Sequence, residues 1–573
     1  MSVAKGLFDG DILNEHLFPY PRLRDKDREV LGMMVDAIDQ FLQPRQQDFR
    51  RWDRESAQPA EFIQGLRELG LFGLIIPEEL GGLGLSNGGY ARVLCQTSMH
   101  DSSVSLTIGA HSSIGMKGLL LFGTPAQKAR YLPRLAGGEL IAAFCLTESG
   151  AGSDAASIRT SASKNADGSW TLNGEKIWIT NGGIAGLYTV FARTESPDGK
   201  ITAFIVEAAW PGVSHGAHED KMGIRASSTT TVHFKDVVVP ADNVLDAEGK
   251  GFKVAMAILN NGRTGLGGGA VGGMKSLIGL ATRQALARRQ FGRPIAEFGL
   301  IRKKLAQMAI DCYAAESAVW MVAHHVDSGY EDYSVEAAIS KIFASEAMQR
   351  TAHEALQIAA GAGFMRDLPY EQIVRDARIL SIFEGTNEVL RLYVAFSGMK
   401  EHGKSLGELK TAMDAIFNHP IKGFGVLGEY AEKRLTHATG VGRGKIQVRV
   451  PANLADAAAI YEKYTLELAK ASDFLLRKHG SAITDRQQEV ERLADIAVDL
   501  FVGLCVLSRS IALSSMPGGA GEQAVLIARV FAQQAKRRMA MNVRRIMRNE
   551  DEEMNRLAGF LLSGEAYPWD VMS

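Results

Sequence analysis

Residues 381–391, SIFEGTNEVLR, place one carboxylate, Glu384, after bulky Ile382 and Phe383 and before the turn-prone pair Gly385-Thr386. An acid in such a run is either a solvated surface residue or a base in a dry pocket. In the second case the apolar wall raises its pKa into the range useful for proton abstraction. Other stretches carry recognisable chemistry. FCLTESGAGSD (144–154) is a strand end followed by a glycine-rich turn. Its backbone N–H groups and the hydroxyls of Thr147 and Ser153 suit a polar planar ring or a phosphate, though alone it reads as an ordinary polar turn. WITNGG (178–183) has strand character, and period-two alternation puts Trp178 and Thr180 on one face, an aromatic wall beside a hydroxyl. RRQFG (288–292) and QIAAGAG (357–363) add an arginine and a close-approach glycine turn suited to a pyrophosphate.

Three other motifs fail on context. GGGAVG (267–272) satisfies G-x-G-x-x-G, but a helical pattern, VAMAILNN, precedes it where a strand is required. It reads as small residues at a close helix contact. GLSNG (84–88) satisfies G-x-S-x-G without the strand–turn–helix of a nucleophile elbow. His324 and His325 are adjacent on a helical segment and so do not face one metal.

Composition narrows the class. The chain has 573 residues and a net charge of −1, enough length for three or four domains and no charge excess that would suit a nucleic acid. Its four cysteines, Cys95, Cys145, Cys312 and Cys505, have no metal or CxxC spacing and read as reduced, buried thiols. No metal site is expected. No uninterrupted apolar run suggests a bilayer span. The early acids Asp9, Asp11 and Glu15 give the N-terminus no signal or transit character, so the expectation is a cytoplasmic protein or an imported one already trimmed.

The elements that must position these residues fall in the order α, β, α, linker, α. Helical patches fill 28–75, two more helices are expected over 88–135, and together they make an N-terminal helical domain, 1–139. Short segments rich in β-branched and aromatic residues, TLNGEKIWIT, LYTVFART, ITAFIVEA and TTTVHFKDVVV, form a middle β domain, 140–245, with Asp167-Gly168 and Asn173-Gly174 as turns. Four long helices, at roughly 252–290, 297–327, 333–362 and 384–400, predict a bundle over 246–400 that ends with Glu384 and its flanking turn. A Gly- and base-rich segment, 401–455, reads as a linker or mobile stretch. Residues 456–573 are a C-terminal helical domain, broken by Pro-Gly-Gly at 517–519.

Taken together and in this order over roughly 30–400, the five motifs resemble the acyl-CoA dehydrogenase family. TIGAHSSIGMKGLLLFGT, FKVAMAILNNGR, EAAISKIFASEA and the extension past Met399 resemble its very-long-chain branch. The resemblance implies a mainly α protein with a β-barrel-like middle domain and a four-helix bundle, with FAD between the two. It implies cofactor contacts from Phe144, Leu146, Thr147, Gly152, Ser153, Trp178, Ile179 and Thr180. Arg288, Gln290, Phe291, Gln357 and Gly361 would reach the FAD of a neighbouring subunit in a homodimer, and Thr386 and Glu388 would lie near its adenosine diphosphate. The family usually has two glycines where this chain has Ala360-Gly361; Gly361 is the one placed against the cofactor, so the change is expected to be tolerated, with a shifted backbone as the alternative.

The resemblance makes Glu384 the catalytic base, and some branches place that base where this chain has Gly262, which carries no side chain. Asn260, Asn261, Gly262 and Arg263 would follow the bound acyl-CoA, with Arg263 either a substrate contact or structural. Ser153 and Gly385 complete the substrate contacts. Ser105 and Gly109 stand where medium-chain relatives close the acyl tunnel with polar side chains, which implies long substrates of the C14–C20 type. The implied reaction is α,β-dehydrogenation of acyl-CoA to trans-2-enoyl-CoA, with electron-transferring flavoprotein as acceptor. Two alternatives stand beside it: an acyl-CoA oxidase using O2, and a family member with an assembly role. The basic run KRRMAMNVRRIMR (536–548), and Lys422, Lys433, Arg434 and Arg443 in the preceding segment, are either solvated faces or a dock for an anionic membrane.

Overall fold

The computed structural model describes residues 2–194, 200–401, 444–516 and 519–564, together with 567, 569 and 571. Residues 402–443 of the segment read as a linker, with Lys422, Lys433, Arg434 and Arg443, lie outside the described residues.

The N-terminal helical domain contributes two elements to the site, α1 (Asn87–His100) and α2 (Ser102–Gly109). Ser86 caps α1 by accepting from the Gly89 N–H at 3.0 Å and donates its own hydroxyl to Asp27. The G-x-S-x-G match is therefore a helix cap. Asp101 caps α2 through the Val104 N–H at 3.0 Å. Two helices were expected over 88–135, and the chain is more broken than that. α2 runs into a π-helical turn, Ala110–Gly115, followed by short helices Lys117–Phe122 and Pro125–Ala136. The π turn presents His111, fully buried, whose Nδ1 accepts from the Ala142 N–H at 2.9 Å while Nε2 faces the Phe72 carbonyl at 3.1 Å. One histidine thus ties this domain to the strand that begins the next.

The middle domain is a single sheet: β1 (Ala142–Cys145), β2 (Ser161–Lys164), β3 (Trp170–Thr180), β4 (Leu187–Thr194), β5 (Ile201–Glu207), β6 (Val213–His218), β7 (Thr229–Val239) and β8 (Val244–Leu245). The strand order is β6-β7-β3-β2-β4-β5-β8, with β1 added to β4. Neither β6 nor β8 pairs onward, so the sheet is open and the expected barrel-like closure is absent among the described residues. Asp167-Gly168 turns the chain between β2 and β3, with Gly168 at φ +86°. Asn173-Gly174 does not turn it. Gly174 lies inside β3, where the register with β7 slips between Leu172 and Gly174. A Cβ there would stand 2.5 Å from Thr160 Oγ1, so glycine makes a bulge at a close backbone approach.

The bundle comprises α3 (Gly251–Ala287), α4 (Gly299–Asp327), α5 (Ser334–Phe364) and α6 (Asn387–Glu401). The glycines of GGGAVG sit inside α3. A Cβ at Gly268 would meet the Ala91 carbonyl at 2.5 Å, and one at Gly272 the Cys95 carbonyl at 2.0 Å. They let α3 lie against the backbone of α1, which is the packing role expected of them. His325 is buried, faces the His16 carbonyl at 2.9 Å, and is pushed down to about 4 by burial. It is a packed histidine.

The C-terminal domain is α7 (Ala455–His479), α8 (Gln487–Ser514), α9 (Gly519–Met547) and α10 (Asp551–Leu562). By length and composition α8 is apolar enough to cross a membrane, although Asp499 and Arg509 interrupt the run, so no uninterrupted apolar stretch stands in the sequence there. In the fold 78% of its apolar window is buried, and it is the central helix of the domain. The core is continuous from the bundle into this domain. The first residues join them. Ser2 Oγ and the Ala4 N–H donate to buried Glu336 of α5, and Phe8 and Leu17 are fully buried. All four cysteines are free and buried.

Candidate active site

A cavity of about 2340 Å³ opens between the sheet, the bundle and α1–α2, larger than the space one small ligand usually needs. Its sheet side is lined by Phe144, Leu146, Thr147, Gly152, Ser153, Trp178, Ile179 and Thr180, and its bundle side by Asn260, Arg263, Glu384, Gly385, Thr386 and Glu388. Ser105 and Gly109 line it from α2. Three motifs far apart in the chain therefore meet in one wall.

The sheet side is shaped by one buried pair. Lys176 is fully buried in β3 and donates to Glu148 Oε1 at 2.7 Å and to the Leu146 carbonyl at 3.1 Å. Glu148 also accepts from the backbone N–H groups of Arg159 at 2.6 Å and Thr160 at 2.9 Å. Burial alone would push the Glu148 carboxyl up, yet the ammonium and these donors hold it below its ordinary value. The glycine-rich turn carrying Thr147, Gly152 and Ser153 is thus pinned from beneath. Sequence reasoning passed over both residues, although an acid inside the motif was the available signal. Trp178 stands 64% exposed at φ +57°, beside a second register slip between Lys176 and Ile179. Ile179 packs its side chain into the sheet core, so it offers the cavity little beyond backbone.

On the bundle side Glu384 lies at φ +54° and Gly385 at +93°, in the turn before α6. The Glu384 Oε2 atom is buried and has no partner. Desolvation raises the carboxyl to about 7, against the nearby charges of Arg263 and Lys341, which pull it down. Gly262 sits opposite, where a Cβ would be 3.3 Å from Glu384 Oε2, so its missing side chain leaves the carboxylate its space. Arg263 is buried; Nη1 donates to Asn260 Oδ1 at 2.7 Å, Nη2 faces the Glu384 carbonyl at 3.5 Å, and Nε has no partner. Thr386 Oγ1 accepts weakly from the Val389 N–H at 3.4 Å and the Thr386 carbonyl starts α6.

Other named residues lie elsewhere. Asn261 points into the bundle, its amide donating to the Ala257 carbonyl at 3.0 Å and the Tyr333 hydroxyl at 2.6 Å. The reason is helical phase: α3 turns 100° per residue, so Asn260 and Asn261 cannot share a face. Arg288, Gln290, Phe291, Gln357 and Gly361 are exposed and outside the cavity. Phe291 tips a two-stranded hairpin at φ +50° and is 93% exposed. Ala360 breaks α5 at φ +52°, ψ −136°, a region that costs a side chain about 1–3 kcal/mol. Alanine here occupies a conformation that favours glycine.

The arrangement is a desolvated base beside a hydroxyl-lined aromatic wall, with room for two ligands. Comparison with known proteins gives it a class. Residues 28–139, 143–237 and 249–398 match the N-terminal, middle and C-terminal domain models of acyl-CoA dehydrogenase. The chain belongs to the acyl-CoA dehydrogenase family, a family of FAD-dependent oxidoreductases. Residues 452–562 further match the ACAD9/ACADV C-terminal domain. The chain is 45% identical to the mitochondrial very long-chain specific acyl-CoA dehydrogenase of Homo sapiens over 89% of this chain and 78% of that one. It is 33% identical to the probable acyl-CoA dehydrogenase FadE10 of Mycobacterium tuberculosis, covering 99% and 89%. An acyl-CoA dehydrogenase complexed with FAD from Bacillus anthracis shares the fold at TM-score 0.81 and 31% identity, covering 99% and 96%.

Proposed function

We propose that this protein is an FAD-dependent acyl-CoA dehydrogenase acting on long-chain and very-long-chain thioesters, with Glu384 as base and electron-transferring flavoprotein as acceptor. The observation that carries the reading is the partnerless carboxylate of Glu384 in a wall shared by sheet and bundle. The residues present fit FAD. Thr147, Ser153 and Thr180 bring hydroxyls and Trp178 an exposed ring to one side of the cavity, and buried Asp154 Oδ1 on the same side has no partner.

Glu384 removes the Cα proton of the thioester; burial makes it a stronger base than a carboxylate in water. Among the described residues its own backbone N–H makes no hydrogen bond, and it serves as donor to the thioester carbonyl, a contact worth about 3 kcal/mol when enolate-like charge develops. Bound FAD supplies the acceptor for the hydride leaving Cβ. Arg263 acts by orienting Asn260 and the Glu384 carbonyl. Small residues along the cavity, Ser98, Ser102, Ser105, Gly109 and Gly269, leave a channel for a long chain, each buried methylene adding about 0.8 kcal/mol. The exposed motif residues Arg288, Gln290, Phe291, Gln357 and Gly361 face FAD in a second copy, which makes the functional unit a homodimer.

The test is the visible spectrum of the purified protein before and after palmitoyl-CoA without oxygen. Bleaching of a flavin band, abolished in Glu384→Gln with the colour retained, is the expected result. Peroxide formation in air at the rate of substrate oxidation would point to an oxidase, and a colourless protein that takes up no FAD would sink the reading.

A further inference from the structure

The turn that carries Glu384 is held from outside its own segment. With Glu384 and Gly385 both at positive φ, the backbone sits where surrounding contacts must stabilise it. The main contact comes from α5, 44 residues earlier. Lys341 is fully buried there. Its Nζ donates to the Gly385 carbonyl at 2.8 Å and to Asn387 Oδ1 at 2.9 Å. The Asn387 amide nitrogen donates to Ser345 Oγ at 3.0 Å and Glu346 Oε1 at 3.1 Å, which keeps its oxygen turned to Lys341.

A buried ammonium is costly unless it is hydrogen-bonded; this one contacts two neutral oxygens, and burial lowers it to about 7 against the pull of Glu384, so it carries its charge on the acid side of neutrality, where Glu384 takes up its proton. The charges that face it are Glu384 of the turn, Arg263 from α3, Glu346 of its own helix and Glu388 at the start of α6. Those that face Glu384 are Arg263 and Lys341, with the Tyr90 hydroxyl from α1. Lys341 does not line the cavity.

We infer that Lys341 is a positioning residue for dehydrogenation. It clamps the 384–387 turn through Gly385 and Asn387, so that the carboxylate and the backbone N–H of Glu384 face one cavity, and it supplies one of two countercharges to that carboxylate. The inference rests on Glu384 being the base.

Lys341→Met keeps the stem and removes the ammonium. With one countercharge fewer, Glu384 holds its proton to higher pH. The expected variant binds FAD at the wild-type ratio, loses kcat by about tenfold or more, and shows the acid limb of its kcat/KM profile moved up by about one pH unit. A scaffold role alone lowers thermal stability and FAD content and leaves that limb in place. An unmoved limb or an unchanged kcat overturns the inference. If Lys341→Met does not accumulate, Lys341→Arg carries the test: the charge stays while the clamp geometry changes, so the limb stays and kcat falls by about threefold or more. A moved limb or an unchanged kcat there overturns it equally. Glu384→Gln is measured in parallel. Full turnover by that variant overturns the base assignment and this inference together, whereas its inactivity beside an unmoved limb in Lys341→Met overturns this inference alone.

Discussion

Five residues of the sequence motifs adopt positive φ with side chains attached: Trp178, Asn181, Phe291, Ala360 and Glu384. Such backbone is retained where surrounding structure or function compensates its cost, and two of the five line the cavity. Ala360 gives the direct test. Ala360→Gly removes the Cβ from φ +52° and is expected to stabilise the protein by about 1 kcal/mol, read as a raised Tm. No gain would mean that the alanine contributes contacts that offset its strain. Glu384 gives the pH test. Its carboxyl is raised to about 7 by desolvation, and the base works only when ionised. Activity at low substrate should therefore rise with pH through about 7 and level off above it. A flat profile down to pH 5 would contradict the assignment.

At the scale of elements, α3 does two jobs with glycine. Gly265, Gly268 and Gly272 allow contact with α1, while Gly262 and Gly269 leave space beside Glu384 and Ser105. Seven residues separate Gly262 from Gly269, about 10 Å along the axis. Gly269→Leu is expected to block the channel at that depth. Turnover of palmitoyl-CoA should fall at least tenfold relative to butyryl-CoA, about 1.4 kcal/mol in the ratio. Equal losses for both would remove the channel from this face. The strand β3 has a comparable device in Lys176. Lys176→Met strands Glu148 as a buried, uncompensated charge, and a loss of about 3–5 kcal/mol in chemical denaturation is expected.

For the whole molecule, the C-terminal domain continues the bundle's core. Arg391 of α6 bridges Glu346 at 2.7 Å and Asp495 of α8 at 2.8 Å. Arg509 of α8 reaches Glu316 of α4 at 2.7 Å, and the N-terminal segment is packed between them. The two should melt as one cooperative unit in calorimetry, and separate transitions for bundle and C-terminal domain would show that the shared core is weak. The basic run 536–548 is partly spent inside this assembly: Arg538 pairs with buried Asp499 at 2.6 Å, and Met539 and Ile546 are buried, while Arg545 pairs with Glu550 at 2.9 Å on the surface. The large apolar side chains left exposed at the bundle's ends, Leu286, Phe291, Leu300, Phe364 and Met365, fit a contact with a second copy.

Much of this was legible in the residues themselves. The four predicted strands and the four bundle helices stand within a few residues of where they are read, the helices from apolar residues at three- and four-residue steps and the strands from clustered β-branched and aromatic residues, with β4 and β5 buried along nearly their whole length. The packing role of the GGGAVG glycines and the rejection of a nucleophile elbow at Ser86 followed from local context as well. The stretches that line the cavity could also be picked out, since their hydroxyls, aromatic ring and carboxylate fall in short runs, although each alone also reads as an ordinary turn or a surface acid. Tertiary structure decided what joins them. Asn173-Gly174 reads as a turn and is a bulge, because the close approach of Thr160 comes from another strand. Asn261 matches its motif and faces away, because helical phase assigns its face. The environment of Glu384 is built by Gly262, Arg263 and Lys341 from helices distant in the chain. Desolvation and countercharge are sums over neighbours, and a run of eleven residues holds only the acid on which they act.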